Sequence, residues 1–236
     1  MKNPLWDRFI PPQNIKNYLS DTVEIGYSQY GMTLGVTGTI TAAGKFTFIT
    51  NMSIELLTKS SRYIFVFDWL AFRPIQFGET GVKGSGIKTA SKFMVTEGEP
   101  YKYNIVFADQ LQYATINPII KEIRKGWDAL TAENAALSTP QNPTQLFENF
   151  LQRKEIVHAQ AVLRNQCYWR AEPYTLKLNF SGKSGQKIHE DIKTFILTAE
   201  DIKKMEINPI ATIADLCKLP GIPYAFLKVP LNNIDS

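Results

Sequence analysis

Between Met32 and Ile40 the sequence alternates without a break: Met32, Leu34, Val36, Gly38 and Ile40 on one side, Thr33, Gly35, Thr37 and Thr39 on the other. A strand turns successive side chains to opposite faces, so this is the pattern of a strand with one face on a core. A helix would scatter the same residues around its circumference. A one-residue slip in pairing would turn the whole apolar set outward. The chain must therefore contain a sheet, and most of its length reads in the same way.

Ala43-Gly44-Lys45 marks a turn. From Phe46 to Thr58 the alternation predicts one long strand, with Phe46, Phe48, Met52, Ile54 and Leu56 on a common face. Arg62 to Trp69 is apolar on both faces, as expected of a strand at the centre of a layered β structure. Three strands with short connections give an antiparallel meander. Two more follow a glycine-rich loop at 78–90, and the second places Tyr101, Tyr103, Ile105 and Phe107 on one face.

The period then changes. Ile116, Ile119, Ile120, Ile123 and Trp127 form the stripe of an amphipathic helix, which Asn117-Pro118 places near its start. A polar stretch at 138–143 leads to a second helix, capped by Asn142, opened by Pro143, and burying Leu146, Phe147, Phe150 and Leu151. Strand alternation returns at Tyr174–Phe180 and around Ile192–Leu197. Thr198 and Asp201 have capping-box spacing, with Asp in place of Glu. Asn208-Pro209 opens a short helix that Pro220-Gly221 stops, and a last strand is expected over Pro223–Val229. The expected fold is mainly β with inserted helices (α+β). Its form is an antiparallel β-sandwich with two central helices and short C-terminal ones. The organisation reads as a proline-broken arm (1–20), sandwich strands (21–110), a helical insertion (111–160) and a final part (161–236). That last part either completes the sandwich or forms a small second unit.

The run from Met32 to Trp69 resembles the opening strands of immunoglobulin-like or arrestin-like sandwiches. Val36-Thr-Gly-Thr-Ile40 is followed by a long strand carrying Met52-Ser-Ile-Glu-Leu-Leu57, then by an aromatic strand ending in Asp68-Trp69. The resemblance spans under a quarter of the chain and implies a fold given to protein contacts. It carries no site residues with it.

The chemistry-bearing residues form no recognisable centre. Gly81 and Gly86 have the spacing of a phosphate-cradling loop, and Asp109 ends a strand downstream. That mechanism needs a lysine directly after the second glycine and a helix beginning there, and Ile87 breaks the register before Lys88-Thr89. The two histidines, His158 and His189, lack a nucleophile elbow. His189 stands beside Glu190 and Asp191 near a turn and reads as surface. Cys167 and Cys217 make neither a disulfide framework nor a closed zinc site, and Cys217 reads as a core residue. No catalytic, cofactor-binding or metal-binding residue is assigned.

The net charge of +4 comes with basic pairs (Arg124-Lys125, Arg153-Lys154, Lys203-Lys204) that have carboxylates close by, the pattern of solvated helix faces. No segment reads as a signal peptide or as a membrane span, which with two cysteines gives a cytoplasmic expectation. Asn51 and Asn179 open glycosylation sequons that lack an export signal to give them meaning. These features favour a non-enzymatic protein-binding or scaffold module, with a protein partner or self-association and with no membrane. Contacts are expected at the arm 1–20, the loop 78–90 and the linker 138–143. Two alternatives stay open. One is a hydrolase or transferase whose paired carboxylates leave no trace in sequence. The other is a nucleic-acid-associated accessory protein using Tyr101-Lys102-Tyr103 and Tyr174–Lys177 for stacking.

Overall fold

The computed structural model describes residues 15–44, 46–58, 60, 64–73, 88–219 and 221–234. Its strands are β1 (Ile15–Ser28), β2 (Gly31–Ala42), β3 (Phe46–Ile49), β4 (Asn51–Thr58), β5 (Ile64–Phe72), β6 (Lys88–Thr89), β7 (Phe93–Thr96), β8 (Tyr101–Ala108), β9 (Pro173–Ser181), β10 (Lys187–Ile196), β11 (Leu227–Pro230) and β12 (Asn232–Asn233). The helices are α1 (Gln110–Ala135), α2 (Pro143–Leu151), α3 (Lys154–Asn165), α4 (Ala199–Met205) and α5 (Asn208–Leu216).

Ten strands join one antiparallel sheet in the order β11-β1-β2-β8-β5-β4-β9-β10-β12, with β6 on β5. Strands from both ends of the sequence share it, since β9 pairs with β4 and β11 with β1. The sheet rolls until its two edges meet. The stretch 227–233 pairs first with β1 and then with β10, and the Leu231 amide donates to the Asp21 carbonyl between the two. The α+β class stands, but the hydrogen bonding gives a nearly closed, barrel-like sheet and not specifically the two facing sheets of a sandwich.

Alternation places the core inside the roll. Across the register, Ile25, Leu34, Phe107 and Trp69 lie in one row, and Phe67, Ile54 and Leu178 in the next. All seven are buried. Trp69, Phe72, Phe93 and Tyr101 form an aromatic cluster, with the last two rings stacked at 4.4 Å. Tyr103 and Tyr174 are buried too, so their rings serve the core and are not offered to a base.

Three expectations need correction. Phe46–Thr58 is two strands, because the chain changes sheets at Thr50. There the amide and hydroxyl of Thr50 bond the carbonyls of Ser181 and Gly182. The burial phase shifts at that point: Thr47 and Ile49 are buried before it, Met52, Ile54 and Leu56 after it, and Phe46 is exposed. The first helix starts two turns earlier than Pro118 suggests, because Asp109 at the end of β8 caps it through the Gln112 amide at 3.0 Å. The central helices number three. Ile156, Ala159 and Leu163 are the buried stripe of α3, which lies where a connection was expected. The capping of α2 by Asn142 and the capping box of Thr198 and Asp201 form as expected.

Candidate functional site

The described residues offer three places where chemistry or recognition could reside. One is built around a local device at Asn208. This residue is fully buried at the start of α5, and its side chain acts as a strand would. Its amide donates to the Ala225 carbonyl at 3.1 Å, and its carbonyl oxygen accepts from the Ala225 amide at 2.7 Å. That clamp fixes the segment before β11 against α5 and lays Phe226 over β1. A Cβ at Gly26 would run into the Phe226 ring, so glycine there admits the aromatic side chain. Arg73, ion-paired with Glu24, lies over the same ring with its guanidinium carbon 5.7 Å from the centroid.

Beneath this clamp lies a cleft of about 570 Å³. Its floor is the outer face of β2, β8 and β5, where Thr33, Val106 and Ala71 are small enough to leave depth. Its walls are Tyr30, Tyr224, Phe226 and the Ser28-Gln29 end of β1, with Asp215 of α5 and Arg73 at the sides. The Tyr224 hydroxyl donates to Asp215 Oδ2 at 3.0 Å, and Gln29 Nε2 donates to the same oxygen at 3.4 Å. Arg124 in turn holds Gln29 Oε1 at 2.8 Å. Burial, with the Asp215 charge beside it, pushes the Tyr224 hydroxyl well above the usual phenol range, so it stays a donor. The Thr33 hydroxyl is buried in the lining without a hydrogen-bond partner.

The second place is the seam of the roll. Inside it, the Tyr103 hydroxyl donates to Asn17 Oδ1 at 3.0 Å, and Asn17 Nδ2 donates to Asp191 Oδ2 at 2.6 Å. His189 Nε2 lies 3.2 Å from that same oxygen as an ion-pair contact, off the line of an aligned hydrogen bond. Gly38 leaves room for the Tyr103 ring to cross to β1. His189 therefore belongs to an interior network and not to the surface turn the sequence suggests. Glu190, its neighbour, turns outward and pairs with Lys187.

Burial works to raise the Asp191 carboxyl, but His189, the Asn17 amide and the Lys193 charge outweigh it and hold it below its ordinary value. A group whose pKa is lower folded than unfolded stabilises the fold above its unfolded value and loses that contribution as pH falls through the folded one. Asp191→Asn is thus expected to cost on the order of 1–2 kcal/mol near neutrality. The gap from wild type should close below about pH 4, where the unfolded carboxyl titrates. Urea titrations at a series of pH values check this. A gap that stays constant down to acid pH would mean the carboxylate charge is not what staples the seam.

The third place is the outer face of β5, β4, β9 and β10, which no described element covers. Cross-strand register sets Val66, Glu55, Lys177 and Ile192 in one row and Ile64, Leu57, Thr175 and Thr194 in the next. Ile64 is 53% exposed and Val66 48% on β5, and Ile192 is 38% and Ile196 59% on β10, so apolar side chains stand open on both flanks of this face with β4 and β9 between them.

Other residues singled out by sequence separate. His158 is exposed on α3, far along the chain from the seam. Cys167 is half-buried, and burial raises its thiol against the hydrogen bond it receives from Trp169. Burial pushes Cys217 up to about 12, with the Asp128 charge adding to it, so neither thiol is activated. Asp109 serves as a helix cap. Burial raises Asp68, with the Asp109 charge adding to it. Among the described residues no group of three His, Cys, Asp or Glu could hold a metal ion. The glycine-rich stretch up to Ile87 and residues 1–14 of the arm lie outside the described residues. No described helix is long and apolar enough to cross a membrane.

Comparison with known proteins adds little to these sites. No protein-family model matches the chain, and no curated protein matches it. Among solved structures it is similar to the sporulation control protein Spo0M of Bacillus subtilis, at 10% identity and a TM-score of 0.30. The likeness covers 84% of this chain and 53% of that one, so the chain spans about half the length of its structural neighbour. At that level the likeness carries no argument about fold or function.

Proposed function

We propose that this chain is a non-enzymatic protein-binding module that associates through the bare outer face of β5, β4, β9 and β10, with a second copy of itself as partner. The observation that carries the reading is the row Val66–Glu55–Lys177–Ile192, apolar at both ends with opposite charges between. Sheets stack face to face about 10 Å apart. A two-fold axis along the strands between β4 and β9 exchanges β5 with β10 and β4 with β9. It sets Glu55 over Lys177 of the partner subunit and Val66 over Ile192 of the partner subunit, so the row is its own complement. The row Asp68–Ser53–Asn179–Glu190 would oppose two carboxylates, which places it at the rim of the contact. The resemblance of 32–69 to immunoglobulin-like or arrestin-like sandwiches supports a role in protein contacts. The two unpaired cysteines support a cytoplasmic setting.

Sedimentation over about a hundredfold range of concentration tests this reading. The wild-type chain is expected to pass from monomer to dimer. Ile192→Lys should weaken the dimer about tenfold or more, since it buries an unpaired charge at an apolar contact. Glu55→Lys alone should weaken it through like charges, and the double swap Glu55→Lys with Lys177→Glu should restore it. A monomer throughout, or a double swap no better than the single one, overturns the reading. A bare face that instead takes up a different protein under cross-linking would make the partner heterologous and reject the self-association.

A further inference from the structure

We infer that the cleft under Phe226 is a binding site for an alkylammonium group, with the Asp215 carboxylate and the rings of Tyr30 and Tyr224 as its receptor. The inference stands apart from the proposed association, which uses another part of the sheet.

Four observations carry it. The cleft has the size at which proteins hold small ligands, within the range of roughly 300–1,000 Å³ typical of such sites. Three aromatic rings line it; Arg73 already stands over Phe226, so Tyr30 and Tyr224 are the rings left to attract a ligand cation through their quadrupoles. The charges in the lining are not equivalent. Arg73 is met by Glu24, whereas Asp215 receives only the neutral donors Tyr224 and Gln29 among the described residues. Asp215, exposed at the side of the cleft, thus has no cationic partner among the described residues and is open to a ligand cation. The exposed Arg124 reaches Gln29 and not the carboxylate, so its charge stands one side chain further out. Last, the Thr33 hydroxyl on the floor is buried without a partner, a cost that a hydroxyl or carbonyl on the ligand's body would relieve.

The rings and the charge arise from separate parts of the chain: Tyr30 from the β1–β2 turn, Tyr224 and Phe226 from the segment clamped by Asn208, Asp215 from α5. Tyr224 Oη both orients the carboxylate and keeps its own ring at the wall. The ammonium could come from a free small molecule or from a lysine side chain of a peptide, and the two differ in the body attached to the charged head.

The experiment is calorimetric titration of the full chain with choline, with spermidine, and with a short peptide carrying trimethyl-lysine, each against a matched neutral analogue. Saturable binding of at least one cation, absent with its neutral analogue, is expected. Choline alone would indicate a small-molecule site, and the peptide alone a lysine-reading one. Asp215→Asn and Tyr224→Leu should each weaken binding by about tenfold. Ala71→Leu, which fills the floor and leaves every polar group in place, should abolish it. Ile192→Lys on the bare sheet face should leave it unchanged, which separates this site from the association surface. Thermal unfolding of each variant shows that loss of binding is not loss of fold. The inference is overturned if no cation binds saturably at millimolar concentration, or if binding survives both Asp215→Asn and Ala71→Leu.

Discussion

Replacing Trp169 by alanine is expected to lower the stability of this chain by about 3–5 kcal/mol, the largest loss from any single position considered. Trp169 is buried in the connection between α3 and β9. Its ring stacks on Phe67 at 6.1 Å and meets Tyr174 edge-on at 5.7 Å, while Nε1 donates to the Gly26 carbonyl at 2.9 Å. It thus ties the helical layer to three strands of the roll at once. Alanine leaves a cavity between aromatic neighbours that cannot close over it, and leaves a buried carbonyl without its donor. Trp169→Phe separates the two effects, since it keeps most of the ring and loses only the donor, at a cost of about 1–2 kcal/mol. Urea unfolding at neutral pH measures both. A loss under about 1 kcal/mol for alanine would mean that the contacts around Trp169 relax freely.

The second large effect is expected at Gln112. This residue lies on the first turn of α1 and is 4% exposed. Its carbonyl oxygen accepts from the Met32 amide at the start of β2, and its amide donates to the Gln166 carbonyl at the end of α3. One side chain therefore satisfies two backbone groups that strand and helix geometry leave open. Gly31 has a φ of 82°, and a Cβ there would strike the Gln112 side chain, so the turn and the glutamine fit only as a pair. Gln112→Leu keeps the volume and removes both bonds, at an expected cost of about 2–4 kcal/mol. Hydrogen exchange gives a local signature: the Met32 amide should exchange faster by more than global destabilisation accounts for. An unchanged Met32 amide would remove Gln112 from this role.

Neither the seam nor the cleft is legible in the sequence. Asn17 and Asp191 are 174 positions apart, and only closure of the roll brings them together. The cleft is hidden for the same reason. Asn208 carries the signature of a helix start, and nothing local says that its side chain will clamp Ala225 seventeen residues later. A trace of α3 is present in Ile156, Ala159 and Leu163, whose spacing matches a helical stripe, but three residues of which one is alanine make a weak period.

Local chemistry on its own determined the strand alternation of 31–42 and 101–108, the caps of α2 and α4, and the mixed α+β class. Each depends on neighbours within one or two turns, whose geometry the backbone fixes. Tertiary structure decided that one rolled sheet holds ten of the strands. It also decided that Thr50 divides a continuous alternation, that His189 faces inward, and that Val66 and Ile192 stay bare. Those outcomes turn on which distant strands pair and what covers them. Pairing energy is similar for many partners of like alternation, so the sequence pattern names the faces of each strand but not what each face will meet.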